Sequence, residues 1–208
     1  MNDNDPILEK IDAYYTGKLR DFGPTARGVD WNSEQSQQTR FEQLARLLPG
    51  GSDFSVLDYG CGYGAFLDFL DARDCRPYYT GFDVSEAMID SARSLHPGDD
   101  RATFTAQADT LQPADFVVAS GIFSVKMNVA TEQWERYVLS TIDRMHALSR
   151  RGFAFNLLTS YSDAERMRPD LYYAPPGRYF DLCEGYSRWV ALLHDYGLYE
   201  FTLVVRKP

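Results

Sequence analysis

Only three cysteines occur in the chain, Cys61, Cys75 and Cys183, an odd number with no pair at metal-ligand spacing. That argues against a disulfide scaffold or a zinc module, and the expected setting is a reducing, cytoplasmic one with no metal. Positive charge is scarce as well: 21 Lys and Arg stand against 30 Asp and Glu, a net charge of −9. Arg150-Arg151 is the only adjacent basic pair away from the C-terminus. A protein that grips a nucleic-acid backbone needs a basic face, so nucleic acid is not an expected partner. Long apolar runs are missing too. The longest, FVVASGIFSV, is too short and too interrupted to span a bilayer, and the N-terminal MNDNDPILEK is acidic and lacks a secretory pattern. No membrane partner is expected.

What is present suffices for one domain: 208 residues, 44% hydrophobic and 14% aromatic. PILEKIDAYYTGKLR (6–20) reads as a helix, with Pro6 near its start and Asp5 as a candidate cap. A second helix carries the stripe Phe41, Leu44, Leu47 and Leu48, is capped by Asn32 or Ser33, and ends at Pro49-Gly50-Gly51. From residue 54 strands and helices alternate. The strands fall at 54–60, 77–84, 102–107, 114–121 and 152–159, and the helices at 65–73, 85–95 and 131–149, with Ser85 opening the helix at 85–95. Continuous apolar strands between helices predict a parallel sheet covered on both faces. The tail differs: SRWVALLHDY and LYEFTLVVRK are separated only around Gly197, too little for a crossover, so they should pair antiparallel.

The stretch VLDYGCGYGAF (56–66) sits where the first strand turns into the first helix of this alternation. Glycines there let a ligand approach the backbone, and the free N–H groups of the helix start can hold a polar group. A dinucleotide site wants G-x-G-x-x-G, and Ala65 in the third position is compatible with it, so the glycines alone leave two cofactors open.

With Asp58 two residues before Gly60, VLDYGCGYG resembles the first motif of class I S-adenosylmethionine-dependent methyltransferases, and the resemblance runs over roughly residues 54–158. It implies a doubly wound α/β fold, Rossmann-like, with a mostly parallel seven-stranded sheet, an antiparallel last strand and an N-terminal helical cap. Residues 1–50 would form the cap. Residues 51–208 would form the cofactor-binding core of the same domain, with 159–187 as a substrate-side lid or insertion. The implied cofactor is S-adenosyl-L-methionine. Asp58, Gly60, Cys61 and Gly62 would cradle it, and Asp83, 25 residues after Asp58, would grip the ribose hydroxyls. Val84 would lie on the adenine, Asp109 and the N–H of Thr110 would meet the adenine edge, and Ser120 would stand beside the methionine half. Arg40, 20 residues before Gly60, would pair with the cofactor carboxylate. Tyr14, Tyr15 and Trp31 lie where they could close over the same region.

The implied reaction is methyl transfer by in-line displacement to a small molecule. After the fourth strand the chain reads S-G-I-F, which lacks the acidic or Asn residue, paired prolines and aromatic of amino-methylating nucleic-acid enzymes. No catalytic base stands out. His194, Lys126 and Asn128 are the candidates; Asn156 also falls near the expected centre, and His96 is expected on the surface at a helix end. A non-catalytic module binding S-adenosylmethionine or its demethylated product, and an NAD-dependent oxidoreductase, are the alternatives. The acceptor atom and the oligomeric state are left open.

Overall fold

The computed structural model describes residues 5–208. Residues 1–4 and the Asp5 side chain, on which the leader reading and the first cap expectation fall, lie outside the described residues. In chain order the elements are α1 (Asp5–Phe22), α2 (Glu34–Ala45), β1 (Ser55–Tyr59), α3 (Ala65–Asp71), β2 (Tyr78–Phe82), α4 (Glu86–Leu95), β3 (Ala102–Thr105) and β4 (Ala114–Ala119). They continue with α5 (Thr131–Leu148), β5 (Ser149–Thr159), β6 (Tyr173–Ala174), α6 (Pro176–Glu184), β7 (Trp189–Leu193) and β8 (Glu200–Arg206). Two of the expected caps form: Ser33 accepts from Ser36 N–H in a capping box, and Ser85 accepts from Met88 N–H.

The sheet runs β3-β2-β1-β4-β5-β8-β7. The pairs from β3 through β5 are parallel, while β8 is antiparallel to both β5 and β7. A two-residue strand that the sequence pattern did not indicate, β6, adds to the end of β5. This is the doubly wound architecture with an antiparallel closing strand that the texture of the chain implies.

Alternation along the central strands divides the core in two. Leu57, Val117, Phe155 and Leu203 face one side with α1, α5 and α6; Val56, Val118, Ala154 and Val204 face the other with α2 and α3. Each Leu, Val or Phe side chain removed from water in this way stabilises the fold by about 1.5–3 kcal/mol. Trp134 is wholly buried, and its indole N–H is satisfied by Phe123 O at 2.9 Å.

Two features place the functional region. The chain leaves β1 toward β2 and β3, then returns to β4 on the other side of β1, so a crevice opens beyond the ends of β1 and β4. Ligands of open α/β sheets bind at such a switch point. Over this crevice lies the N-terminal segment. Asp30, with a left-handed φ of 64°, accepts from Tyr14 Oη at 2.7 Å and Lys18 Nζ at 2.5 Å, which ties the loop before α2 to α1. Thr16 Oγ1 lies 2.8 Å from Ser85 Oγ and ties α1 to the start of α4.

Candidate functional site

The turn after β1 is clamped to the end of β2. Gly60 N and Cys61 N both donate to Phe82 O, at 2.7 and 2.9 Å. Gly60 has φ +86°, and a Cβ there would lie 2.2 Å from Ile122 Cγ2, so only glycine fits. Opposite this turn, Asp83 accepts from Gly62 N at 2.9 Å through Oδ2 and from Ser85 N at 3.0 Å through Oδ1. A carboxylate has about four lone-pair sites, so both oxygens keep capacity toward the cavity. Burial pushes the Asp83 pKa up, opposed by the Ser85 and Gly62 N–H groups.

Beneath the turn Asp58 is 3% exposed and accepts from Tyr79 Oη at 2.5 Å. Burial pushes its pKa up to about 7; the Tyr79 hydroxyl works against this and the Asp83 charge adds to it. Cys61 is buried, and desolvation raises its thiol pKa well above the ordinary value, so it acts as a small apolar wall residue.

A cavity opens between these groups. Asp58, Gly60, Cys61, Gly62, Asp83, Val84 and Ser120 all line it. Tyr59, Phe82, Met88 and Tyr137 give it an apolar floor, and Tyr15 and Trp31 of the N-terminal segment close it. The Trp31 ring lies on Gly121, where a Cβ would be 2.2 Å from Trp31 Cη2. Ser120 Oγ is buried with no hydrogen-bond partner among the described residues, so its donor and acceptor capacity is unused. Polar groups at both ends of an apolar slot, one a two-oxygen acceptor, fit a ribose-bearing cofactor with an amino-acid tail.

Four expectations meet a different arrangement. The Thr110 N–H is spent on Gln107 O at 3.1 Å, because residues 108–110 wind into a 3-10 turn; it is not open to an adenine ring. Asp109 sits in the same turn, exposed, and is not among the described residues that line the cavity. Arg40 Nε and Nη2 bind Glu200, and its guanidinium stacks on Trp31 at 3.9 Å; it reaches the region already paired. His96, expected on the surface, has a side chain only 8% exposed, with Nε2 3.0 Å from Asp68 Oδ1 and the ring against Phe104.

Among the described residues that line the cavity none is His194, Lys126 or Asn128. Asn128 accepts from Lys10 Nζ at 3.2 Å, and the His194 ring packs near Tyr161 and Phe201. Asn156 holds the turn after β4 instead: its Oδ1 accepts from Gly121 N at 2.8 Å, and its Nδ2 donates to Glu200 at 2.5 Å.

The profile of the methyltransferase domain family matches residues 31–198, most of the chain and all of the cavity's strand-end loops. The chain belongs to that family. A protein of Mycobacterium tuberculosis provisionally named a methyltransferase is 52% identical over 163 residues, 78% of this chain and 98% of its own length. A malonyl-[acyl-carrier protein] O-methyltransferase of Pectobacterium atrosepticum is 37% identical over 78 residues, 38% of this chain and 30% of its own. Among solved structures, the N-methyltransferase NodS of Bradyrhizobium japonicum, in complex with S-adenosyl-L-homocysteine, superposes with a TM-score of 0.66 at 18% identity, covering 95% of this chain and 98% of NodS. DhpI, in a complex with SAM and HEP, gives 0.64 at 16% identity over 97% of each chain. At these identities the structural likeness speaks for the methyltransferase fold, including its antiparallel closing strand. Among the described residues no helix is long and apolar enough to cross a membrane, and no group of three or more His, Cys, Asp or Glu is placed to hold a metal.

Proposed function

We propose that this methyltransferase takes S-adenosylmethionine in the cavity at the ends of β1 and β4 and passes the methyl group to a small-molecule acceptor. The observation that carries the reading is the pairing of a glycine-rich turn with the Asp83 carboxylate, whose Oδ2 lies 2.9 Å from Gly62 N. S-adenosylmethionine supplies a methyl group on a cationic sulfonium, displaced in line with a neutral thioether leaving. The protein therefore has to bind, align and exclude water rather than generate a strong electrophile.

Each task has a candidate residue. Asp83 offers two oxygens to the ribose hydroxyls. Val84, Tyr59 and Met88 form the apolar walls of the base slot, and the orphaned Ser120 hydroxyl serves the amino-acid end. Asp83, whose carboxylate takes the Gly62 and Ser85 N–H groups, gives the cavity an acceptor suited to a cationic ligand. Trp31, pressed on Gly121 and backed by Arg40, seals the slot from water. The acceptor would enter beside Gly121.

The test has two parts. Calorimetry with S-adenosylmethionine, S-adenosylhomocysteine and NAD should give micromolar binding of the first two and little of the third. Transfer of labelled methyl to members of a small-molecule panel should follow. Binding without transfer to any acceptor would favour a non-catalytic cofactor-binding module; NAD binding alone would overturn the reading.

A further inference from the structure

Trp31, Tyr15, Val29 and Gly121 line not only the first cavity but also a second, wider cleft of about 510 Å³. The far wall of that cleft comes from the segment after β5, including Ser162, Arg166 and Arg168. Five charged residues line it: Asp30, Arg40, Arg166, Arg168 and Glu200.

The two acids are already committed. Glu200 is held by Arg40 and Asn156, and Asp30 by Lys18 and the Tyr14 hydroxyl. Arg168 gives Nε and Nη2 to Asp170, at 3.1 and 2.5 Å, which leaves its Nη1 edge open. Arg166 is loosely paired with Asp163 at 3.8 Å and lies over the Tyr199 ring at 5.6 Å, while Asp163 also takes the Tyr199 hydroxyl. The least committed charge of the cleft is therefore the Arg166 guanidinium, in a chain whose net charge is −9.

A second observation lies at the inner end. Ser124 is 6% exposed, whereas the Arg166 and Arg168 side chains are 67% and 59% exposed. The Ser124 backbone is fixed, its N–H on Gly121 O at 3.4 Å and its carbonyl accepting from Tyr172 N at 2.9 Å. Its hydroxyl nevertheless has no partner among the described residues. A buried hydroxyl left unpaired is destabilising, and a bound polar group would satisfy it.

We propose that this cleft is the acceptor subsite and that the acceptor carries an oxyanion, a carboxylate or a phosphoryl group. Arg166 and Arg168 hold the oxyanion at the mouth, and Ser124 Oγ hydrogen-bonds the polar part nearer Gly121. Guanidinium forks match the planar oxygens of such groups, which an ammonium does not. The inference rests on the first cavity being the cofactor site.

The test starts with protein saturated with S-adenosylhomocysteine. Inorganic phosphate, succinate, glycerol and choline are then titrated by calorimetry. Saturable one-to-one binding of phosphate or succinate is expected, with none of glycerol or choline. Arg166→Gln and Arg168→Gln should each weaken the oxyanion at least tenfold and leave the S-adenosylhomocysteine affinity unchanged; both side chains are exposed, so folding is not at stake. A stronger phosphate arm assigns a phosphoryl acceptor, a stronger succinate arm a carboxylic acid. Absence of saturable oxyanion binding, preference for choline or glycerol, or indifference to both substitutions overturns the proposal. Failure of S-adenosylhomocysteine to bind in the first step overturns the cofactor reading beneath it instead.

Discussion

Arg40 and Glu200 lie 160 residues apart in sequence and form a buried ion pair, the guanidinium forked on the carboxylate with side chains 8% and 1% exposed. The pair joins α2 to the start of β8, and Glu200 passes the connection through Asn156 to Gly121 N. It thus links the N-terminal segment, the closing strand and the turn beside the cavity. Removing one partner leaves the other charge buried. Glu200→Ala should cost about 3–5 kcal/mol, read as a lower denaturant midpoint at unchanged slope. Arg40→Met with Glu200→Leu should recover most of that loss; a double variant as unstable as the single one would mean the pair itself is not the cause.

Gly121 is where the roof meets the sheet. Its φ is +76°, and a Cβ would be 2.2 Å from Trp31. Gly121→Ala should push the indole away and lower S-adenosylhomocysteine affinity at least tenfold, about 1.4 kcal/mol, with a further strain of about 1–2 kcal/mol on the fold. Calorimetry and a melting curve separate the two. Unchanged affinity would show that Trp31 does not cover the ligand.

Asp58 makes stability depend on pH. Its carboxyl is held at about 7 in the folded protein against an ordinary value of 3.8. The folded state keeps a proton that the unfolded chain releases, so stability is fully present below pH ~4 and is lost as pH rises through ~7. The loss is on the order of 4 kcal/mol at most. Asp83, raised in the same direction, adds to this slope. Asp58→Asn should flatten the fall in unfolding free energy between pH 4 and 7. A variant with the wild-type slope would place the titration elsewhere.

The sequence carried the frame because the frame rests on local patterns. Ser33 and Ser85 stand directly before apolar stripes, and the apolar runs at β1, β4 and β5 are strands buried on both faces. The short spacing around Gly197 forced β7 and β8 to pair antiparallel. Details that depend on distant partners were not legible. Arg40 faces Glu200 because β8 inserts beside β5, and no local pattern fixes that register. One signal was available: Asn156 is a polar residue amid the apolar run FAFNLL, a mark of buried pairing. His96 read as a surface residue because its aromatic neighbour Phe104 comes from another element, and Thr110 read as open because a single 3-10 turn consumes its N–H. Tyr15 and Trp31 were placed near the ligand by their position in the N-terminal segment alone; the Trp31–Gly121 contact is a tertiary fact.

The most direct measurement is calorimetric titration of S-adenosylhomocysteine into the wild type and Asp83→Ala, each first shown to be folded by circular dichroism. The expected result is micromolar binding to the wild type and a loss of at least a hundredfold in the variant, since two hydrogen bonds to a charged group vanish with the side chain. Equal affinity in the two proteins would mean that the carboxylate beside the glycine turn does not hold the ribose, and the cavity would lose its assignment as the cofactor site.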